Sequence, residues 1–409
     1  MGLFDQRARI CRQVLSREAF VNRDHSTIFA GNAGSNGRRH RPGVLPGEPS
    51  GRMPGRRLFL CAVFLLGIFF AGGCSMTREE PGQDRSGGSE ASEEAVQIGI
   101  SFDSFVIERW LRDRDVFVAT AQSLGAQVNV QNANGDVEEQ IQQIEYLIEK
   151  KMDVITIVAI DAKALKDVVK KAQDQGIRIV CYDRLIQDVG SDLYISFDNR
   201  MVGTLMGQAL AKSLPEGGQI FQIQGSSSDH NVEQVREGFE DAIKGCGITV
   251  SYSTFCDNWL AELAFDAVTE GLEQTGGKVD GIMCGNDDLA GQAIRALAEH
   301  KMAGKVPVVA QDAELSACQR IEEGTQSMTV YKSVDKEASA AARLAVALAR
   351  GEDITDPESP IPVTQTIHDG KQDVPYYALE PAAVTKENMD EVIIDGGFHQ
   401  REDVYLNVD

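Results

Sequence analysis

The chain has 409 residues, 42% of them hydrophobic and 25% charged, with a formal net charge of −22 at pH 7. That is enough chain for two or three domain-sized units with a sizeable core. Residues 1–73 carry 11 Arg and no Lys against 4 acidic residues, a net +7, which leaves 29 basic and 58 acidic residues in 74–409, a net −29. So acidic a body repels phosphate, which argues against a nucleic-acid partner and suits a neutral or cationic ligand.

Residues 1–52 are rich in Arg and Gly and lack sustained periodicity. Met53 opens a more compact segment, Met53-Pro54-Gly55-Arg56-Arg57, so both Met1 and Met53 stand as starts, and Met53 is the one expected. After Arg57 come fourteen residues, 58–71, without a charge, then Gly72-Gly73-Cys74. A basic region, a short apolar run and small residues before a cleavage point describe an export signal. The run is short for a membrane span, which takes about 20 residues. Cys74 directly after small residues resembles a bacterial lipoprotein signal, in which that cysteine receives lipid. Ala71 stands at the third position before it, where that pattern usually has Leu. Residues 1–73 are thus expected to be an upstream extension and signal peptide. Residues 74–95, with Ser86-Gly87-Gly88-Ser89-Glu90, read as a flexible tether. Five more cysteines follow, none with zinc-like spacing; only Cys246 and Cys256 are near neighbours, which leaves a disulfide between them open.

From residue 96 short apolar runs alternate with amphipathic stretches. Residues 96–100 read as a strand, 108–124 as a helix and 127–131 as a second strand. Residues 137–151 place Ile141, Ile144, Leu147 and Ile148 on one helical face. Residues 154–158 are a β-branched run of the kind buried on both faces of a parallel sheet. A helix over 164–175, ended by Gly176, and strands over 177–181 and 193–196 follow. Beyond Asn199 the rhythm resumes, with strands predicted over 220–223, 249–253, 281–284 and 306–310 and helices over 233–244, 260–274 and 289–300. The fold class is α/β: two doubly wound parallel-sheet lobes, since so many strand–helix units exceed one domain. In such folds ligands sit at the carboxyl ends of the strands.

Those ends are unusually polar. Asp103 follows the first strand, with Arg109 and Trp110 opening the next helix. Asp183 and Arg184 follow 177–181. Asp229, His230 and Asn231 end a Ser-rich loop after 220–223. Trp259 comes after 249–253, Asn286 after 281–284, Asp312 after 306–310, and Lys332 after Met328-Thr329-Val330. Carboxylates, amides and cations around one ring suit sugar hydroxyls, which both donate and accept, and an indole suits the C–H face. Any one of these residues alone could be a helix cap or half of an ion pair. Seven successive strand ends of this kind point to a site.

Several blocks resemble the periplasmic D-xylose-binding protein family, the type I sugar-binding proteins that serve ABC importers. They are Glu108-Arg109-Trp110, Gln131-Asn132-Ala133-Asn134-Gly135, Tyr182-Asp183-Arg184, Tyr194-Ile195-Ser196-Phe197-Asp198-Asn199, Gln311-Asp312-Ala313, and Met328-Thr329-Val330-Tyr331-Lys332, with Gly396-Gly397-Phe398-His399 near the end. The resemblance runs from about 96 to 400. It implies two lobes joined by a three-crossing hinge: 96–199 with 331–360, and 200–330 with 361–409. Carried over, Arg109, Asp183 and Arg184 would bind sugar from the first lobe; Asp229, Asn231, Trp259, Asn286 and Asp312 from the second; and Lys332 after the second crossing. Asp103 and Trp110 would assist. The chain departs from the family at Phe255, in the area of a second Trp, and at His230, where an amide is common; both leave glucose open beside D-xylose.

The expected function is an extracytoplasmic, lipid-anchored, monomeric receptor delivering a monosaccharide to the permease and ATPase of an ABC importer, or else a sugar sensor for chemotaxis or a kinase. No catalytic residue, cofactor or metal is expected: G-x-S-x-G, H-E-x-x-H and Walker A motifs are missing from the sequence. A sugar-responsive repressor would need a DNA-reading helix pair where this chain carries its export signal.

Overall fold

The computed structural model describes residues 95–408. The leader, Cys74 and nearly all of the tether lie outside the described residues. The first strands are β1 (Gln97–Phe102), β2 (Gln127–Asn132), β3 (Val154–Ile157), β4 (Arg178–Tyr182) and β5 (Leu193–Phe197). Between them run α1 (Arg109–Ser123), α2 (Val137–Glu149) and α3 (Lys166–Gln173). Every residue of β3 and β5 is buried, because helices cover both faces of a parallel sheet. Helix α2 starts where it does because the Asp136 side chain accepts from Glu139 N at 3.1 Å, and its Ile144, Leu147 and Ile148 face inward.

The second series is α4 (Asn199–Ser213), β6 (Gly218–Gln224), α5 (His230–Ile243), β7 (Ile248–Phe255), a 3-10 turn at Asp257–Trp259, α6 (Glu262–Thr275), β8 (Gly281–Cys284), α7 (Asp287–Glu299), β9 (Val308–Val309), α8 (Leu315–Glu323) and β10 (Thr329–Tyr331). Helix α9 (Val334–Ala349), β11 (Gln365–His368), β12 (Asp373–Leu379), β13 (Ala382–Val384) and the short α10 (Arg401–Val404) complete the chain.

Among the described residues the strands form three sheets: β11-β12-β5-β4-β3-β1-β2, β7-β6-β8-β9, and the pair β10-β13. A bridge between Val309 and Met328 links β9 to the segment leading into β10. Both larger sheets are doubly wound, with the strand order reversing at β1/β3 and at β6/β8; those are the switch points where such folds bind ligands. The chain crosses between the two lobes after β5, after β10 and after β12.

The lobe boundary expected at residue 361 is corrected by strand pairing. β12 runs parallel to β5, with Tyr376 opposite Tyr194, and β11 pairs antiparallel with β12. Residues 365–379 therefore complete the first sheet, and only β13 onward belongs with the second lobe. Helix α9 packs on α1, which keeps it with the first lobe. Strand β7 separates Cys246 from Cys256. The two residues flank opposite ends of β7, roughly 25 Å apart at the usual rise per residue, whereas a bridge needs Cα atoms within about 7 Å.

Ile98, Ile100 and Phe102 of β1, Trp110, Trp259, and Phe221 and Ile223 of β6 belong to one contiguous buried cluster. The lobes therefore share a core where their strand ends meet.

Candidate functional site

The candidate residues converge because the strands that carry them end at this shared core. Several sit in a backbone conformation that side chains seldom adopt: Asp183 has φ 59°, Trp259 φ 58° and Asp312 φ 100°. Such strain persists where the surroundings over-determine it. At Asp183 they do: its carbonyl accepts from Ser196 Oγ at 2.8 Å, Asn231 Nδ2 at 2.9 Å and the Tyr194 hydroxyl at 3.1 Å.

Arg109 opens α1 and is 5% exposed. Its Nε and Nη2 donate to the two oxygens of Asp113 at 3.1 and 3.0 Å, and Nη1 donates to Asp183 Oδ2 at 3.1 Å. Nη2 also donates to Glu337 Oε2 on α9. The Tyr182 hydroxyl donates to Asp113 in turn. Four of the five guanidinium N–H groups are thereby used, and one on Nη1 remains.

Arg184 joins the lobes. Its Nη1 meets Asp103 Oδ2 at 2.8 Å and the Ala159 carbonyl at 3.1 Å, while its Nε lies 2.8 Å from Asp229 Oδ2 in the second lobe. Its guanidinium lies 5.7 Å from the Trp110 ring and 5.9 Å from the Trp259 ring, close enough for cation–π attraction. Asn231 Nδ2 adds a second inter-lobe contact, to Asp183 Oδ1 at 3.2 Å. Lys332, just after β10, pairs with Asp312 at 2.8 Å. A third set of contacts closes the rim: Ala162 N donates to the Ser228 carbonyl at 3.1 Å, Ser228 Oγ donates to the Ile160 carbonyl at 3.0 Å, and His230 meets Gln187 at 3.2 Å.

Trp259 lies on two glycines. A Cβ on Gly225 would stand 2.2 Å from Trp259 Cη2, and one on Gly285 would stand 3.1 Å from Cζ3. No other residue at 225 lets the indole lie flat against β6.

Electrostatically the site is a set of mutually compensated buried charges. Burial by itself would raise the Asp183 carboxyl, but Lys332, Arg109 and Arg184 outweigh it and hold it below the usual carboxylate range. Burial raises Asp103 and Asp229, with Arg184 opposing in both. Lys332 loses hydration on burial, yet Asp312 and Asp183 hold its proton more tightly than usual.

Where the lobes meet they leave a small cavity of about 20 Å³. Of the predicted residues, Arg109, Trp110, Asp183, Arg184, Asp229 and Asn231 line it, as do Trp259, Asp312 and Lys332. Asp103 is set behind Arg184 as its ion-pair partner. Asn286 caps α7, its side chain accepting from Leu289 N at 3.0 Å, and is not among the residues that line the cavity. Ile107, Asn199 and Gln311 also line the cavity. Gln311 and Asn199 each stood in a block that resembles the family, Gln311 also as a polar residue at a strand end, but neither was named as a site residue. Phe255 ends β7 at 46% exposure, outside the cavity lining. Several buried polar atoms have no protein partner, among them Trp110 Nε1, Trp259 Nε1, Asn286 Nδ2 and Gln311 Oε1. Two indole N–H donors and the Gln311 acceptor around one small cavity suit a polar, uncharged ligand, since the charged groups of the lining already balance one another. Among the described residues no group of three or more His, Cys, Asp or Glu side chains converges as a metal ion requires.

A doubly wound two-lobe fold with a polar cavity at the strand ends defines a ligand-binding protein. The chain belongs to the periplasmic binding protein family: residues 98–353 match its periplasmic binding protein domain. That family consists of substrate-binding proteins of transport systems, not enzymes. The chain is 40% identical over 321 residues to the D-xylose-binding periplasmic protein of Haemophilus influenzae, covering 78% of this chain and 94% of that protein. It is 39% identical over 313 residues to the protein of that description from Escherichia coli K12, covering 76% and 92%. A carbohydrate-transporter solute-binding protein from Chloroflexus aurantiacus, solved in complex with D-glucose, superposes with TM-score 0.69 at 25% identity, covering 76% of this chain and 98% of that one.

Proposed function

We propose that this chain captures D-xylose outside the cytoplasm and delivers it to the permease and ATPase of an ABC importer. The cavity where the lobes meet, lined by compensated charges and two indoles, carries this reading. Arg109, Asp183 and Arg184 would serve sugar hydroxyls from the first lobe; Asp229, Asn231 and Asp312 from the second, with Asn286 beside them; and Lys332 from the crossing. Trp110 and Trp259 would cover the apolar face of the ring. The names of the two relatives favour D-xylose; the structure solved with D-glucose makes glucose the rival. The lipid on Cys74 would keep the receptor at the membrane, and the chain would work as a monomer.

The mechanism is hinge closure. With the lobes apart, each half-site faces water. A sugar that bridges them stabilises the joined form by contacts it makes only there. Excluding water then strengthens each polar contact.

Calorimetric titration with D-xylose, D-glucose, D-ribose and L-arabinose tests the reading. D-xylose is expected to bind tightest. Failure of all four to bind more tightly than about the millimolar range would end the sugar-receptor reading, and a preference for glucose would move the assignment.

A further inference from the structure

Arg109 is held in part by a residue that no strand end supplies. Glu337 lies in the first turn of α9, just beyond the second crossing, and is 0% exposed. Its Oε2 accepts from Arg109 Nη2, while its Oε1 is buried with no partner. Leaving such an oxygen without a bond is costly. An ion pair kept for stability alone could be replaced by apolar side chains at little loss. Asp113 holds Nε and Nη2 and Asp183 holds Nη1, so charge neutrality does not require a third carboxylate there.

We propose that Glu337 is a positioning residue for the sugar site: with Asp113 it locks the Arg109 guanidinium, so that the one unused Nη1 N–H is kept for a sugar hydroxyl. The inference rests on the sugar-binding reading above. It also gives α9, the element that follows the hinge, a direct hold on the site. Burial, against the pull of Arg109, raises the Glu337 carboxyl well above its ordinary range, and glutamine keeps its shape and one acceptor oxygen.

The test compares wild type, Glu337→Gln and Glu337→Leu by titration with D-xylose and by thermal melting. Glutamine keeps an oxygen for Arg109 and is expected to bind within about threefold of wild type. Leucine fills much the same volume without an acceptor; Asp113 and Asp183 still hold Arg109, so the chain should fold, yet bind at least about tenfold more weakly. Wild-type affinity in the leucine variant overturns the proposal, as does a glutamine variant as weak as leucine. Glu337→Met supplies the same comparison should the leucine chain fail to fold. Absence of binding by wild type to any of the four sugars would instead sink the sugar-receptor reading, and this inference with it.

Discussion

Replacing Gly225 by alanine should damage binding through Trp259 alone. The new Cβ would lie 2.2 Å from Cη2 and 2.4 Å from both Cζ2 and Cζ3 of the indole. Carbon atoms sit comfortably at about 3.5–4.0 Å, so the ring must retreat by more than about 1 Å or the strand must shift. Retreat carries the ring into the cavity it lines, and the aromatic face is lost to the sugar. Losing that face should cost roughly 1–3 kcal/mol of binding, about 5- to 150-fold. If the ring stays, overpacking costs a similar amount of stability instead, about 1–3 kcal/mol. Calorimetric titration and urea unfolding separate the two outcomes. The chain has two tryptophans, Trp110 and Trp259, and both line the cavity, so intrinsic fluorescence reports on the site directly. A double-mutant cycle with Trp259→Ala gives the decisive comparison. Once the indole is gone, Gly225→Ala should weaken binding no further. Wild-type affinity in Gly225→Ala, or fully additive losses in the cycle, would refute the reasoning.

The acidic residues beside the cleft predict a pH trend. Burial, then Asp287, Asp288, Asp312 and Glu108, pushes the Glu314 carboxyl up to about 10, and burial pushes Asp287 up to about 7. A raised carboxyl stabilises the fold fully below its unfolded value and loses that contribution as pH climbs to the folded one. The melting temperature should therefore fall as pH rises from about 5 to 9. Glu314→Gln should flatten that slope and cost little at neutral pH, where the acid is already uncharged; circular-dichroism melts that show an unchanged slope would exclude this account. At the rim, Ser228→Ala removes the hydrogen bond to the Ile160 carbonyl. One such bond is worth about 1 kcal/mol, so stopped-flow fluorescence should show sugar release about fivefold faster. An unaltered rate would mean that this contact adds nothing to closure.

Much of this molecule was legible in the sequence. Apolar runs and helical faces announced the strand–helix alternation, because burial of a strand or helix depends on residues a few positions apart. Ranking polar residues at strand ends located most of the cavity, because a doubly wound sheet has one ligand-binding edge. Only the tertiary structure decided the rest. β11 and β12 return to β5 across more than 160 residues, and nothing in those short segments names their partner. Glu337 reads as an ordinary polar position on a helix until α1 and α9 pack together around Arg109. Gly225 and Gly285 matter only through the ring laid on them. The Asp183–Asn231 and Arg184–Asp229 contacts need the two lobes to meet. Local pattern sets which face of each element is buried; what that face is buried against depends on how the chain closes over long separations, and in this protein that closure makes the site.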